Sequence, residues 1–413
     1  MRLASLYLPQ ELIREILDNF FTSEDVHTLR SCSLVSSEFQ DLAQSKLFHT
    51  ITFELKSLER HLKIIENLQI ILLTRPQLGS YIRHIWLHLS FEDPRWIHSN
   101  PTFLSIVEQC HNFEQLSMTG MGTGPFVNSK KWHSAFWEPI VQPRLKQLHI
   151  ECIWDFPFTF NVGCSRLESL SLYSINFEES TSKDLPPILS SHKPLRLKHL
   201  RFQGSPNSPD FVASWNRENV DGNIKFTDLL TLDLRLSRLH VGVEIDWMSF
   251  VLSESGQSLN SMAISGQISK KLHLSLDSLT HLKKLTFGTD GLFKPSSLGD
   301  MMLTIAQILD GLHEGSSLRN LEIKLLAYIV RQDFLSRLAS WECWPMMDAA
   351  FSRYQERAKD VIHIDFNIHC LPPDVISARV DDSVEQELYF SRIFTEKLPL
   401  TNENPFIEML VYP

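Results

Sequence analysis

A six-residue apolar pattern recurs through most of the chain and constrains its fold more than any other feature. The pattern is apolar-x-x-apolar-x-apolar, and its ten copies begin 22 to 36 residues apart. The copies are Phe48/Ile51/Phe53, Ile82/Ile85/Leu87, Phe113/Leu116/Met118, Leu145/Leu148/Ile150, Leu167/Leu170/Leu172, Leu197/Leu200/Phe202, Leu229/Leu232/Leu234, Leu259/Met262/Ile264, Leu282/Leu285/Phe287 and Leu318/Leu321/Ile323. One copy arises easily by chance in a leucine-rich chain, whereas ten copies at a bounded interval indicate an internal repeat.

Each copy is expected to form one short β-strand, because alternate side chains of a strand point to the same face and can enter a shared core. The segments between copies supply the returning helices. One example is LERHLKIIENLQIILL, which has Leu58, Leu62, Ile65 and Leu72 on one stripe. "DVIHIDF", after the last copy, reads as one more alternating strand, and the segment before it as a helix with a break at Pro345.

These copies resemble a leucine-rich-repeat solenoid, which implies an α/β fold built from stacked strand-and-helix turns. The asparagine usual three positions after the last apolar residue is missing, since Ile153, Ile175, Ser205, Ser237 and Leu326 stand there. The spacing is also uneven. We therefore expect an irregular leucine-rich-repeat-like α/β solenoid over residues 51–378. An ordinary α/β domain with parallel strands remains an alternative.

The residues between the core positions of each copy form a polar row on the other face of the predicted strands. Mixed polar side chains on an extended surface suit a protein or peptide partner, although a solvated sheet face would look the same. The candidate substrate-binding residues are Trp86, His149, Tyr173, Arg201, Asp233, Arg235, Lys284 and Glu322. Two aromatic segments, with Trp132, Phe136 and Trp137 and with Phe211 and Trp215, are rival contact sites. They read more readily as loops pinned to the repeats.

The first fifty residues read as three short helices. Pro9 suits an opening helical turn, where its missing N–H costs nothing. Leu12, Ile13 and Ile16 then follow at helical spacing. A unit of about 45 residues buries a low fraction of its surface and is only marginally stable alone. It therefore either caps a larger domain or docks a partner through exposed apolar residues.

Two stretches of this region, LPQELIREIL and SLVSSEFQDLAQSKLFHTI, resemble an F-box, the adaptor-binding module of SCF-type ubiquitin ligases. The Leu8-Pro9 pair, Glu11-Leu12, the Ser33–Ser36 stretch with Phe39, and Leu47-Phe48 carry the resemblance. It implies that residues 4–50 form a three-helix F-box that docks a Skp-type adaptor and, through it, a cullin scaffold. The implied contact residues are Leu8, Pro9, Leu12, Ile16, Leu34, Val35 and Phe39. Many F-boxes carry tryptophan where this chain has Phe39.

Charge and cysteine usage limit the other partners. The net charge is −10, without any run of basic residues, which argues against nucleic acid and against a membrane surface. Six scattered cysteines without a C-x-x-C pair are typical of free thiols in a reducing compartment. The first residues meet proline and acid before any signal-like apolar core. We expect an intracellular protein, cytoplasmic or nuclear. Residues 379–413, with three basic and seven acidic side chains, are expected to form a C-terminal cap or acidic tail.

Catalytic and metal-binding motifs are weak. The glycine-rich "GMGTG" lacks the Gly-Lys-Ser/Thr of a phosphate-binding loop. His363, His369 and Cys370 lie close together without the spacing of a common zinc site, and His149 with Glu151 reads as a surface pair. We predict a non-catalytic substrate receptor of an SCF-type ligase, without cofactor or metal. The alternative is a repeat scaffold whose first helices merely cap the array.

Overall fold

The computed structural model describes most of the repeats and part of the N-terminal helices. The described residues are 9, 11–15, 26–54, 58–89, 100–120, 144–153, 164–175, 195–203, 224–236, 241–266, 274–288, 295–312, 317–327, 340, 342–357, 362–370, 392–393, 395–403 and 407–412. The chain divides into two compact units. The N-terminal unit comprises Met1–Leu167 and Ile175–Lys193, and the C-terminal unit comprises Glu168–Ser174 and Pro194–Pro413.

The N-terminal unit begins with a small helical module with a core of its own. Residues 11–15 are helical, and two helices follow, α1 (Val26–Cys32) and α2 (Ser37–Leu47). Ser36 caps α2, because its side chain accepts a hydrogen bond from the amide of Phe39. Ile13, Leu29 and Ala43, one from each helical segment, are buried against one another. Cys32, Phe39, Leu42 and Leu47 pack around them.

A parallel sheet forms the rest of the N-terminal unit. Its strands pair in the order β1 (Thr50–Glu54), β2 (His84–Leu89), β3 (Gln115–Gly120) and β4 (Gln147–Glu151). The connections contain α3 (Leu58–Thr74), a 3₁₀-helix (Pro76–Tyr81) and α4 (Pro101–Gln109). Asn100 caps α4 by accepting the amide of Phe103 at 3.0 Å, and Pro101 stands in its first turn.

The C-terminal unit contains a longer parallel sheet. Its strands pair in the order β5 (Ser169–Tyr173), β7 (His199–Gln203), β9 (Thr231–Leu236), β10 (Ser261–Gly266), β11 (Lys284–Gly288), β12 (Asn320–Ala327), β13 (Ile362–Cys370) and β14 (Ile407–Tyr412). Two short strands, β6 (Leu195–Arg196) and β8 (Ile224–Lys225), pair separately. Its described helices include α5 (Val241–Ser255), α6 (Pro295–Asp310), α7 (Trp344–Arg357) and α8 (Pro399–Glu403), and residues 392–393 and 395–397 are also helical.

The repeated apolar pattern sets the register of both sheets. Leu170 lies opposite Leu200, Leu200 opposite Leu232, and Leu232 opposite Met262, so equivalent positions of successive copies form continuous rows. From the second copy to the tenth, all three apolar residues of each copy are buried. The predicted α/β class with parallel strands is therefore confirmed, in a form compatible with a solenoid.

A backbone ladder joins successive copies. The residue that follows the first apolar position of a copy accepts hydrogen bonds at its backbone carbonyl. The donors are two consecutive backbone amides of the next copy. Glu114 accepts from Lys146 and Gln147, for example, and Lys198 accepts from Leu230 and Thr231. The same arrangement recurs in both units, so each strand begins at a fixed point on its neighbour.

Two features of the last part of the chain were not predicted from the sequence. β14 lies in the range that we assigned to a cap or tail, yet it pairs in parallel with β13. Pro345 is not at a break, because it stands in the first turn of α7. "DVIHIDF" coincides with the start of β13, as expected. Among the helices that the structure describes, none has the length and apolar character required to cross a membrane.

Candidate interaction surfaces

Two apolar side chains project from the turn between α1 and α2. The turn is fixed by backbone bonds from Leu34 to Ser31 and from Val35 to Cys32, and Ser36 starts the next helix. Leu34 is 87% exposed and Val35 is 70% exposed. Adjacent large apolar residues with so much exposed surface are typical of a contact with another protein.

The other residues predicted to bind an adaptor have different surroundings. Pro9 is exposed, and Leu12 is also exposed on the first helical segment. Phe39 packs against the core formed by Ile13, Leu29 and Ala43, so part of its ring stabilises the module itself. Leu8 and Ile16 lie outside the described residues.

A cavity of about 1010 Å³ lies between the helical module, β1 and α3 in the N-terminal unit. Ile70 and Ile71 of α3, both exposed, form part of its apolar wall. Arg30, Lys46 and Arg75 also line it, and none of its described lining residues is a carboxylate.

Aromatic and histidine side chains occupy the polar strand face of the N-terminal unit. Trp86 Nε1 donates to Thr119 Oγ1 at 3.3 Å, and its ring lies 4.7 Å from that of His88. His84 Nε2 is 2.8 Å from Ser117 Oγ. Burial lowers the pKa of His84, and the neighbouring His49 and His149 lower it further. The sequence placed Trp86 and His149 on one surface, and they do lie on one face, on strands β2 and β4.

In the C-terminal unit, four of the predicted substrate-binding residues form one cluster. Arg201 Nε lies 3.8 Å from Asp233 Oδ2, and the guanidinium of Arg235 lies 5.7 Å from the centre of the Tyr173 ring. Arg235 also donates to Gln203 Oε1 at 3.4 Å. Burial and the negative charge of Asp233 raise the pKa of Tyr173, and they outweigh the opposing effects of the two arginines. We call Arg201, Asp233 and Arg235 the arginine cluster.

Two further predicted residues form a second cluster with Lys324, which belongs to the predicted polar row but not to the candidate substrate-binding residues. The carboxylate of Glu322 forms ion pairs with Lys284 Nζ at 3.0 Å and with Lys324 Nζ at 3.1 Å. It also accepts a hydrogen bond from Thr286 Oγ1 at 3.2 Å. Burial acts to raise the pKa of Glu322, but the hydrogen bonds from the two lysines outweigh it and lower that pKa. Lys324 alternates with Glu322 along β12, and this spacing places both residues on the polar row. We call Lys284, Glu322 and Lys324 the lysine cluster.

Residues considered for chemistry do not assemble into a reactive site within the described ranges. Burial raises the pKa of Cys110 and of Cys164 to about 12, and that of Cys343 to about 11, so these thiols stay protonated near neutral pH. His149 Nε2 lies 3.5 Å from Glu151 on the sheet surface. Among the residues that the structure describes, no three histidine, cysteine, aspartate or glutamate side chains are grouped so that they could hold a metal ion.

Several other candidates lie outside the described residues. They are residues 121–124 of the glycine-rich stretch, Trp132, Phe136, Trp137, Phe211 and Trp215, and the side chains of His369 and Cys370.

Comparison with known proteins does not assign the chain to a family. No family model matches it, and no curated protein is significantly similar to it. A similar solved structure, described as the crystal structure of the Rad7 and Elc1 complex in yeast, shares 12% sequence identity over 90% of each chain. Its TM-score is 0.35, which is too low for the two folds to be called the same.

Proposed function

We propose that this chain is the substrate-recognition subunit of an SCF-type E3 ubiquitin ligase. The helical module would dock a Skp-type adaptor and, through it, a cullin scaffold, while the strand faces would select a protein substrate. The observation that carries the proposal is the exposure of Leu34 and Val35 in a module that resembles an F-box and already has its own buried core.

The energetics support a partner at this turn. Burying a leucine or valine side chain is worth roughly 1.5–3 kcal/mol relative to leaving it in water. The turn bonds and the Ser36 cap position Leu34 and Val35 before any partner arrives, so little conformational freedom is lost on docking. Leu12 and Pro9 add further exposed apolar surface to the module.

In this role the chain needs no catalytic residue and no cofactor. The conjugating enzyme carries out ubiquitin transfer, and the receptor contributes proximity by holding a substrate lysine near the reactive thioester. An intracellular location, in the cytoplasm or nucleus, is part of the same proposal.

The test is a pull-down of the full-length protein with a purified Skp-type adaptor. We compare the parent with Leu34→Ala/Val35→Ala, and with the control Ile64→Ala/Leu73→Ala, which truncates two exposed apolar residues of α3 that do not line the cavity. Circular dichroism first verifies that all three proteins are folded. The parent and the control should bind, and the turn variant should bind at least tenfold more weakly. A folded parent that binds no Skp-type adaptor would overturn the proposal.

A specific contact favours a second candidate function, a scaffold whose first helices only cap the repeats. α2 packs on the 3₁₀-helix, and Tyr81 hydrogen-bonds Asp41 across that contact. Burial, followed by the charge and hydrogen bond of Asp41, raises the pKa of Tyr81. The scaffold reading expects no adaptor binding by the parent and equal behaviour of both double variants.

A further inference from the structure

The arginine cluster and the lysine cluster have the same composition of charges. Each cluster contains two cationic side chains and one carboxylate, so the three side chains of each together carry a net charge of +1. Both clusters project from the polar strand face of the C-terminal unit, whereas the whole chain carries a net charge of −10.

The cations stand further out than the carboxylates. The side chain of Glu322 is 13% exposed, against 47% for Lys284 and 51% for Lys324. Asp233 is 35% exposed, against 63% for Arg201. In both clusters the carboxylate is therefore less exposed than the cations that pair with it, so a partner would meet these cations first.

The strand between the clusters presents only small side chains on this face. β10 carries Ser261, Ala263 and Ser265 there, in register with Thr231, Asp233 and Arg235 of β9. On the other side, Ser261 and Ala263 pair with Lys284 and Thr286 of β11. The small side chains of Ser261, Ala263 and Ser265, which we call the strip, therefore separate the two cationic clusters.

The spacing of the clusters defines what could bridge them. The arginine cluster is on β7 and β9 and the lysine cluster is on β11 and β12, so their centres are three strand spacings apart, about 14 Å. An extended peptide rises about 3.3 Å per residue, so side chains four residues apart lie on one face and are separated by about 13 Å.

We propose that this face binds an extended protein segment with two acidic residues, Asp or Glu, four positions apart. One carboxylate would contact each cluster, and the chain between them would cross the small side chains of β10. A net charge of +1 per cluster matches one carboxylate better than a doubly charged phosphate. The identification of this segment as part of a ubiquitination substrate rests on the proposed function, but the binding itself does not.

Fluorescence anisotropy on the full-length protein tests the inference. The probe is a fluorescein-labelled Ser/Thr peptide with two glutamates four residues apart. The comparison peptides replace both glutamates by glutamine, or place them two residues apart, or replace them by phosphoserine. An unlabelled single-stranded oligonucleotide serves as a competitor.

Two variants and one control locate the binding. Arg235→Gln/Lys324→Gln reduces each cluster to zero net charge, and Ala263→Glu places an anion on the strip between them. Arg353→Gln/Arg392→Gln removes the same total charge from helical positions, where Arg353 pairs with Asp310 and Arg392 with Glu396. Thermal melting by circular dichroism verifies that each variant is folded.

The expected result is that the four-residue glutamate peptide binds at least fivefold more tightly than the glutamine and two-residue peptides. Both face variants should weaken that binding at least tenfold, and the control should stay within twofold of the parent. Equal binding of the glutamine peptide, unchanged binding by both face variants, binding of the phosphoserine peptide alone, or displacement by the oligonucleotide would each overturn the inference.

The outcome is separable from that of the adaptor test. Adaptor binding without peptide binding would overturn only the acidic-segment inference. Peptide binding without adaptor binding would support the inference that this strand face is a recognition surface, and would overturn only the proposed ligase role.

Discussion

At the scale of single residues, Glu322 illustrates how a carboxylate organises the strand face. It accepts hydrogen bonds from Lys284, Lys324 and Thr286 at once. Without it, Lys284 of β11 and Lys324 of β12 would both lose the carboxylate that they contact. Such a carboxylate stabilises the fold only while it is ionised.

The lowered pKa of Glu322 therefore predicts a pH dependence of stability. Since its pKa is lower in the folded than in the unfolded state, its contribution is fully present above the ordinary glutamate pKa. That contribution is lost as the pH falls through the folded-state value. Urea unfolding at pH 7, 5, 4 and 3 should show a steeper loss of stability in the parent than in Glu322→Gln. At pH 7 the variant should be about 1–3 kcal/mol less stable. Parallel pH profiles would contradict this role.

Gly266, at the end of β10, is a second position where one residue type is required. Its φ is +92°, and a Cβ there would collide with the backbone carbonyl of Leu236. Gly266→Ala should destabilise the protein by about 2 kcal/mol or more. The matched control is Gly299→Ala in α6, where a Cβ would meet nothing within 4 Å. This control should stabilise by about 0.5–1 kcal/mol, because alanine favours a helix interior. Equal effects in chemical denaturation would refute the assignment.

Residue-scale prediction from the sequence succeeded where a periodic pattern was enough. Leu170, Leu200 and Leu232 were assigned to one core because their spacing within each copy is fixed. The polar row was found the same way, but not the pairing of Lys324 with Glu322, which depends on side-chain reach. Phe39 shows what the sequence could not predict. Its apolar character suits both the core of its own module and a contact with a partner, and only the structure shows that it packs against that core.

At the scale of elements, a buried carboxylate joins two helices of the C-terminal unit. Asp348 of α7 is 4% exposed. It accepts the amides of Leu400 and Thr401, at 3.0 and 2.8 Å, and the hydroxyl of Thr401 at 2.7 Å. It therefore satisfies amides at the first turn of α8 that the short helix cannot pair itself.

Removing Asp348 should cost far more than removing an exposed carboxylate of the same unit. Asp348→Ala leaves two amides and a hydroxyl buried without their acceptor, for an expected loss of about 3 kcal/mol. Asp310→Ala, which breaks the exposed pair with Arg353, should cost no more than about 1 kcal/mol. Asp348→Asn keeps one acceptor oxygen and should fall between them. Urea unfolding measures all three, and similar losses for Asp348→Ala and Asp310→Ala would contradict the capping role.

Element-scale prediction was incomplete in the last part of the chain. β14 carries a copy of the repeated pattern, Phe406/Met409/Val411, beyond the ten copies that defined the predicted series, and its Met409 and Val411 pair with Ile364 and Phe366 of β13. Pro345 was read as a break because proline stops a helix interior, whereas the first turn of α7 accommodates it. The backbone ladder between successive copies could not be predicted either, because every residue has a backbone carbonyl and the sequence does not show which amides that carbonyl accepts.

At the scale of the whole molecule, charge is distributed unevenly. The chain carries a net −10, yet two cationic clusters stand on one face of the C-terminal unit. The Debye length is about 8 Å at physiological ionic strength, so acidic residues elsewhere are screened from a ligand in contact with that face. An acidic chain can therefore still bind an acidic segment, through short-range contacts and not through its overall field.

The strand order of the C-terminal unit also predicts how a disturbance spreads. Among the described residues, the strands β5, β7, β9, β10, β11, β12, β13 and β14 pair one after the next, so stability is expected to be a sum of local terms, as in repeat arrays. Asp348→Ala should therefore speed hydrogen exchange most in β13, β14, α7 and α8, and least in β5 and β7. Gly266→Ala should instead act mainly on β9, β10 and β11. Exchange measured by mass spectrometry on both variants distinguishes this from a single cooperative unit, in which either substitution would raise exchange uniformly along the series. A uniform rise would mean that the whole sheet opens at once, so that no local opening of the strand face could accompany the binding of a substrate.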